Sequence, residues 1–156
     1  MTFEGEVVSV HIASVGGEPM MEVAQAQAVI GSGLAGDRYA EGVGTYSKKQ
    51  GPDREVTLIE IEAIEALVRD HDIKLDVGQS RRNIVTRGVP LNHLVGAEFQ
   101  VGGVKMRGVR LNEPCKYFEN LLGIEGLHDA LINRSGLNAQ VISEGSIRGG
   151  DVVKRI

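Results

Sequence analysis

Apolar residues fall along this chain in short bursts cut by glycine. Val7, Val8, Val10 and Ile12 mark a first strand over residues 6–13, ended by the turn Val-Gly-Gly-Glu-Pro at 15–19. Residues 21–30 carry two competing patterns. Their Met, Glu, Gln and Ala content favours helix intrinsically. The alternation of Glu22, Ala24, Ala26, Ala28 and Ile30 against Val23, Gln25 and Gln27 suits a strand, and Gly31 and Gly33 follow at once, which tips the reading to strand. A short strand is predicted over 55–59. Ile61–His71 reads as a helix, with Ile61, Ile64, Leu67 and Val68 on one face and Glu60, Glu62, Glu65, Arg69 and Asp70 kept wet.

Ile84 and Val85 then suit a strand, and Leu91–Leu94 a turn or short helix. Residues 97–101 and Val104–Leu111 form a hairpin across Gly102-Gly103, a two-residue turn of the kind such loops prefer. From Cys115 the apolar spacing is that of a short helix, closed by Gly123. A second short helix is predicted over 125–133 with Gly136 ending it, then a strand over 138–143. A last strand over 152–156 follows the turn Gly149-Gly150-Asp151.

Composition sharpens this into an architecture. Glycine supplies 21 of 156 residues, well above the usual level of roughly 7%. Tight turns between short strands account for such a number. The pattern predicts a mainly β (α+β) chain, a closed or partly closed β-barrel with a few short helices, in one domain over 1–156. A net charge of −4 and only 4% aromatic residues argue against nucleic acid as a partner, and no apolar stretch approaches the roughly 20 residues of a membrane span. A single cysteine excludes an internal disulfide and an iron–sulfur cluster held by about four cysteines. With no basic-then-apolar leader at the start, the expected compartment is the cytoplasm.

That cysteine draws the chemistry together. In Arg107-Gly-Val-Arg-Leu-Asn-Glu-Pro-Cys-Lys, Pro114 precedes Cys115 at a helix start, with Arg107, Arg110 and Lys116 close in sequence. Helix dipole and cations favour the thiolate, which attacks electrophiles and binds soft metals; the plainer alternative is a buried, inert thiol. Arg81, Arg82 and Asn83 cluster donors ahead of a strand and suit phosphate or carboxylate, or else guard a strand edge. The loop Gly-Ser-Gly-Leu-Ala-Gly-Asp-Arg at 31–38 contains G-x-G-x-x-G, but glycines at 42 and 44 oppose the helix a dinucleotide site needs. Asp37 and Arg38 alone read as a surface ion pair. Asp-His-Asp at 70–72 has the composition of a metal cluster, yet its side chains diverge on a helix and read as a solvated terminus. Cys115 with His93 or His128 as base would be a hydrolase pair, which also needs an orienting group and an oxyanion hole.

The order of several motifs resembles the MOSC domain family, named after the C-terminal domain of molybdenum-cofactor sulfurase. They are Gly-Leu-Ala-Gly-Asp-Arg at 33–38, Arg-Arg-Asn-Ile at 81–84, Leu-x-x-Leu-x-Gly-Ala-x-Phe at 91–99, Glu-Pro-Cys at 113–115 and Gly-x-Ile-x-x-Gly-Asp at 145–151. The resemblance implies a β-barrel with a cysteine in its pocket. It implies molybdenum cofactor (molybdopterin) with Cys115 as the metal ligand, and Arg81, Asn83, Arg82, Arg38, Asp37 and Arg110 as the cofactor-binding set.

Two activities follow from the resemblance. One is reduction of a small N-hydroxylated or N-oxide substrate, with electrons from a separate donor protein. The other is sulfur carriage on a Cys115 persulfide, received from a cysteine desulfurase, a pyridoxal phosphate pathway partner. Larger relatives carry an extra N-terminal β-barrel domain, so the resemblance implies that part of their cofactor pocket is either missing here or supplied by a second subunit, as in a homodimer. A non-catalytic anion-binding module is the remaining reading.

Overall fold

The computed structural model describes residues 1–42 and 51–156. In chain order its strands and helices are β1 (Glu4–Ile12), β2 (Met21–Val23), β3 (Gln25–Val29), β4 (Gly33–Leu34), β5 (Val56–Glu60), α1 (Ile61–His71), β6 (Ile84–Arg87), β7 (Glu98–Val101), β8 (Val104–Leu111), α2 (Lys116–Leu122), α3 (Leu127–Ala130), β9 (Leu137–Val141), β10 (Gly145–Arg148) and β11 (Val152–Arg155). Single 3-10 turns lie at Pro52–Arg54, Val77–Ser80 and Leu91–Leu94.

Seven strands run in the order β11-β7-β8-β9-β5-β6-β1, and β1 pairs back onto β11 to close a barrel. Closure removes the open edges that invite aggregation. The β5–β6 pairing is parallel, with α1 in the connection, and the other pairings around the ring are antiparallel. Strand β2 extends the sheet outward from β1, while β10, β3 and β4 form a second, three-stranded sheet.

Two apolar clusters follow from the alternation of strand side chains. Leu58, Ile84, Phe99, Met106, Leu137 and Ala139 point into the barrel with their neighbours. Ile59 and Val85 point the other way and meet Ile64 and Leu67 of α1, Phe118 of α2, and Leu127 and Leu131 near α3. Strands β5 and β6 are therefore buried on both faces, which is why their apolar residues run together. Cys115 packs at the edge of the outer cluster.

The fold departs from the sequence pattern in several places. The predicted strand over 21–30 breaks after Val23, and its halves join different sheets. The predicted helix over 125–133 shrinks to four residues, opened by Gly126 at φ +83°. Strand β10 has only Ile147 buried, too weak a pattern to register. The G-x-G-x-x-G loop opens no helix at its start: Gly33 and Leu34 form β4, and a Cβ on Gly33 would strike the Glu55 carbonyl. Residues 43–46, part of that loop argument, lie outside the described residues.

Candidate functional site

Residues 81–83 link the Val77–Ser80 turn to β6, and their side chains part in different directions. Arg81 caps the turn in the left-handed conformation, φ +60°. Asn83 is wholly buried. Its Oδ1 accepts from Thr57 N at 3.0 Å and Thr57 Oγ1 at 3.1 Å, and its Nδ2 donates to the His11 carbonyl at 3.1 Å. It thus pins β6 to β5 and β1. The two arginines instead line a pocket of about 270 Å³, together with Arg38 and Cys115.

Each arginine is held from behind. Arg82 Nε donates to the Ser135 carbonyl at 2.9 Å and its Nη2 to Ser135 Oγ at 2.8 Å, while its Cζ lies 5.7 Å from the Phe118 ring centroid. Arg81 Nη1 donates to the Glu18 carbonyl at 2.6 Å. Arg38 pairs with Asp37 Oδ1 at 3.0 Å, donates to the Arg81 carbonyl at 3.1 Å and stacks on Tyr39 at 4.6 Å. Asp37 does not line the pocket. Fully buried, it also accepts from Ala13 N and so fixes Arg38 in place.

The charge does not balance. Among the described residues Asp37 is the only carboxylate within ion-pair distance of these three guanidinium groups, and neither Arg81 nor Arg82 has one. Burial pushes the Arg82 pKa down to about 10. Burial, then repulsion from Arg38, also lowers Arg81. Buried cations without a counter-ion are costly.

The rest of the lining comes from the Pro52–Arg54 turn, the end of β8 and the segment after it, and β9. Leu137 and Ala139 face the barrel core, so Asn138 between them faces outward to the pocket. Arg110 Nε bonds Asp53 Oδ2 at 2.9 Å, and that hydrogen bond is the main cause holding the Asp53 carboxyl below its ordinary value. Arg54, Asn112, Glu113, Tyr39, Tyr117 and Phe118 complete the lining.

Cys115 is the N-cap of α2, with φ −130° and ψ 159°, and it is half-buried. The two other cations nearest in sequence point elsewhere. Arg107 stands opposite Glu98 in the β7–β8 ladder and bonds its Oε1 at 2.7 Å, and Lys116 Nζ lies 3.4 Å from Glu119. Neither lines the pocket.

No histidine lines it among the described residues, and His128 Nδ1 meets Asp129 at 2.9 Å. Asp70 is bound by Arg69 at the surface, which lowers its carboxyl to about 2. No trio of metal-capable side chains occurs among the described residues.

Arg38, Arg81, Arg82, Arg110 and Cys115 are thus brought to one pocket, while Asn83 and Asp37 stand behind it. Sequence reasoning missed Tyr39, Asp53, Arg54, Asn112, Tyr117, Phe118, Asn138 and the supporting Ser135. A molybdenum cofactor would need a soft ligand beside an anion seat. One thiol and several guanidinium groups facing the same hollow fit that requirement.

Comparison with known proteins places the fold among solved structures. The YuaD protein from Bacillus subtilis superposes with a TM-score of 0.81 at 14% identity, covering 99% of this chain and 96% of that one. YiiM from Geobacillus stearothermophilus gives 0.74 at 15% identity over 97% and 75%. YiiM from Escherichia coli gives 0.68 at 17% over 100% and 70%. At such identities these likenesses speak for the fold. No curated protein sequence matches. A family model for the MOSC domain matches residues 45–154, and with its barrel and cysteine-bearing pocket the chain belongs to the MOSC domain family.

Proposed function

We propose that this protein binds the molybdenum cofactor with the Cys115 thiolate as metal ligand, and reduces N-hydroxylated or N-oxide compounds with electrons from a separate protein. The MOSC family is associated with molybdenum-cofactor binding or sulfur transfer. The observation that carries the first reading is the meeting of Arg81 and Arg82, buried with no carboxylate in ion-pair distance among the described residues, with Cys115 in one pocket. A persulfide would need only the sulfur and an open path. A hollow of about 270 Å³ beside it, lined by five arginines, suits a phosphorylated small molecule.

When bound, the cofactor would supply the oxygen-atom chemistry, which no side chain here can perform. The chain contributes binding and orientation. Arg81 and Arg82 would meet the phosphate through charge-assisted hydrogen bonds, each contributing roughly 1.5–3 kcal/mol. Ser135 and Phe118 keep the Arg82 guanidinium from swinging away, and Asp37 does the same for Arg38. Cys115, fixed at the start of α2, would hold the metal at the pocket wall.

The test is metal analysis of protein made in a host that synthesises the cofactor, beside Cys115→Ser and Arg82→Met. Stoichiometric molybdenum in the wild type, lost in both variants, is the expected result. Metal-free wild-type protein would overturn the proposal. An added sulfur atom in its intact mass after incubation with a cysteine desulfurase and cysteine, absent from Cys115→Ser, would then assign sulfur carriage.

A further inference from the structure

We propose that the turn Val-Gly-Gly-Glu-Pro at 15–19 belongs to the binding machinery, with the Glu18 carbonyl and Pro19 positioning the Arg81 guanidinium for an oxyanion. The inference rests on the phosphate seat proposed above and extends it to a segment that does not line the pocket. The residues flanking the turn are tied to the Asp37–Arg38 pair. Ala13 N donates to Asp37 Oδ1 at 3.0 Å, Arg38 N donates to the Ala13 carbonyl at 2.7 Å, and Arg38 Nη1 donates to Met20 Sδ at 3.3 Å.

Between those ends the chain closes on itself, Glu18 N donating to the Val15 carbonyl at 3.3 Å. Gly17, at φ +84°, lies against α2: a Cβ there would stand 3.4 Å from Tyr117 Oη. Pro19 keeps residue 18 out of the helical region and so presets the direction of its carbonyl. That carbonyl accepts from Arg81 Nη1 at 2.6 Å. Arg81 Nε and Nη2 have no hydrogen-bond partner among the described residues, and two such neighbouring donors can grip a pair of phosphate oxygens in parallel. Arg38 is more committed, with Nη1 donating to Asp37 and Met20 and Nη2 to the Arg81 carbonyl.

The kind of acceptor matters. A carboxylate in the same place would orient the guanidinium and also cancel its charge, whereas a neutral carbonyl orients it and leaves the charge to the ligand. Arg82 is held in the same manner, by the carbonyl and hydroxyl of Ser135. The Glu18 side chain is exposed, and among the described residues no carboxylate, its own included, forms an ion pair with Arg81. Without the Glu18 carbonyl, repulsion from Arg38 and the rotamer freedom of a long side chain would both draw Arg81 toward water.

The test titrates inorganic phosphate at pH 7 into cofactor-free wild type, Pro19→Gly and Glu18→Ala, by calorimetry. Pro19→Gly should weaken phosphate binding about two- to fivefold, the weight of the backbone freedom that the exchange restores. Glu18→Ala keeps the carbonyl and should bind at least as tightly as the wild type. Nitrogen-15 NMR of the arginine Nε–H groups, each assigned by its loss in an Arg→Lys variant, reads the positioning itself. In phosphate-free Pro19→Gly the Arg81 Nε–H should exchange with water faster, while that of Arg82, held by Ser135, stays as it was. Unchanged phosphate affinity in Pro19→Gly, an equal loss in Glu18→Ala, or Arg81 and Arg82 loosening together would overturn the role of the turn. Wild-type protein that binds no phosphate would remove the seat itself, and this inference with it. Phosphate binding that depends on Pro19 in a protein that never takes up molybdenum would leave the turn's role intact and sink only the cofactor reading.

Discussion

Replacing Arg82 with methionine separates an arginine kept for the fold from one kept for a ligand. The side chain is 9% exposed, and burial brings its pKa from 12.5 to about 10. For a base with a depressed folded pKa, stability is lost as pH falls through the folded value, so at pH 7 the penalty is fully present. At about 1.36 kcal/mol per pKa unit, that gap weighs against the charged form by roughly 3 kcal/mol.

Methionine has similar length and removes the penalty. It also leaves the buried Ser135 carbonyl without its Arg82 donor, a loss of about 1–3 kcal/mol. The two nearly cancel. Arg82→Met should therefore unfold within about 2 kcal/mol of the wild type, or within roughly 8 °C for a chain of this size. Breaking a balanced buried ion pair would instead cost about 3–5 kcal/mol.

Thermal unfolding of cofactor-free protein, with and without inorganic phosphate, reads both halves of the argument. Phosphate should raise the wild-type midpoint by mass action and leave Arg82→Met unmoved. A variant destabilised by about 4 kcal/mol that still responds to phosphate would refute the reasoning, because Arg82 would then be a structural cation.

Asn83→Ala should cost about 3 kcal/mol, one for each side-chain hydrogen bond it removes, in urea unfolding. The fraction that stays folded should take up molybdenum as the wild type does. Glu55 is buried with its carboxyl raised above the ordinary value by burial, so the stability it contributes is present below that value and lost as pH rises through the folded one. Glu55→Gln, whose amide oxygen can still accept from Val141 N, should be more stable than the wild type at pH 8 and indistinguishable at pH 4 by chemical denaturation. Gly136→Ala should lose more than about 2 kcal/mol, since φ is +107° and the new Cβ would strike the Leu58 carbonyl. Expression yield and melting temperature check it.

Much of the barrel was legible because its signals are local. The two-residue turn at Gly102-Gly103 sets the β7–β8 hairpin, and the same register places Glu98 opposite Arg107. That cross-strand pair was therefore readable, and it would have withdrawn Arg107 from the cysteine's surroundings in advance. Strands β2 and β3 were not separable, since which sheet a strand joins depends on partners far along the chain. Asn83 misled for the same reason. Composition marks it as a donor beside two arginines, but Thr57, 26 residues earlier, decides that it is a pin.

The pocket is gathered by sheet order rather than by sequence. Strands β8, β9, β5 and β6 are consecutive neighbours in the barrel, and they or the segments flanking them contribute Arg110, Asn138, Asp53 and Arg82. The double-sided burial of β5 and β6 leaves α2 only the outer face to pack on, and its Phe118 anchors there. That anchor sets where the helix starts, and the helix start is Cys115. The same ring lies against Arg82. One aromatic residue thus couples the position of the sulfur to that of the buried cation. Phe118→Leu should then weaken phosphate binding and molybdenum uptake together, through geometry, while every charged residue of the pocket stays in the chain. Loss of one with the other intact would show that the sulfur and the guanidinium are positioned independently.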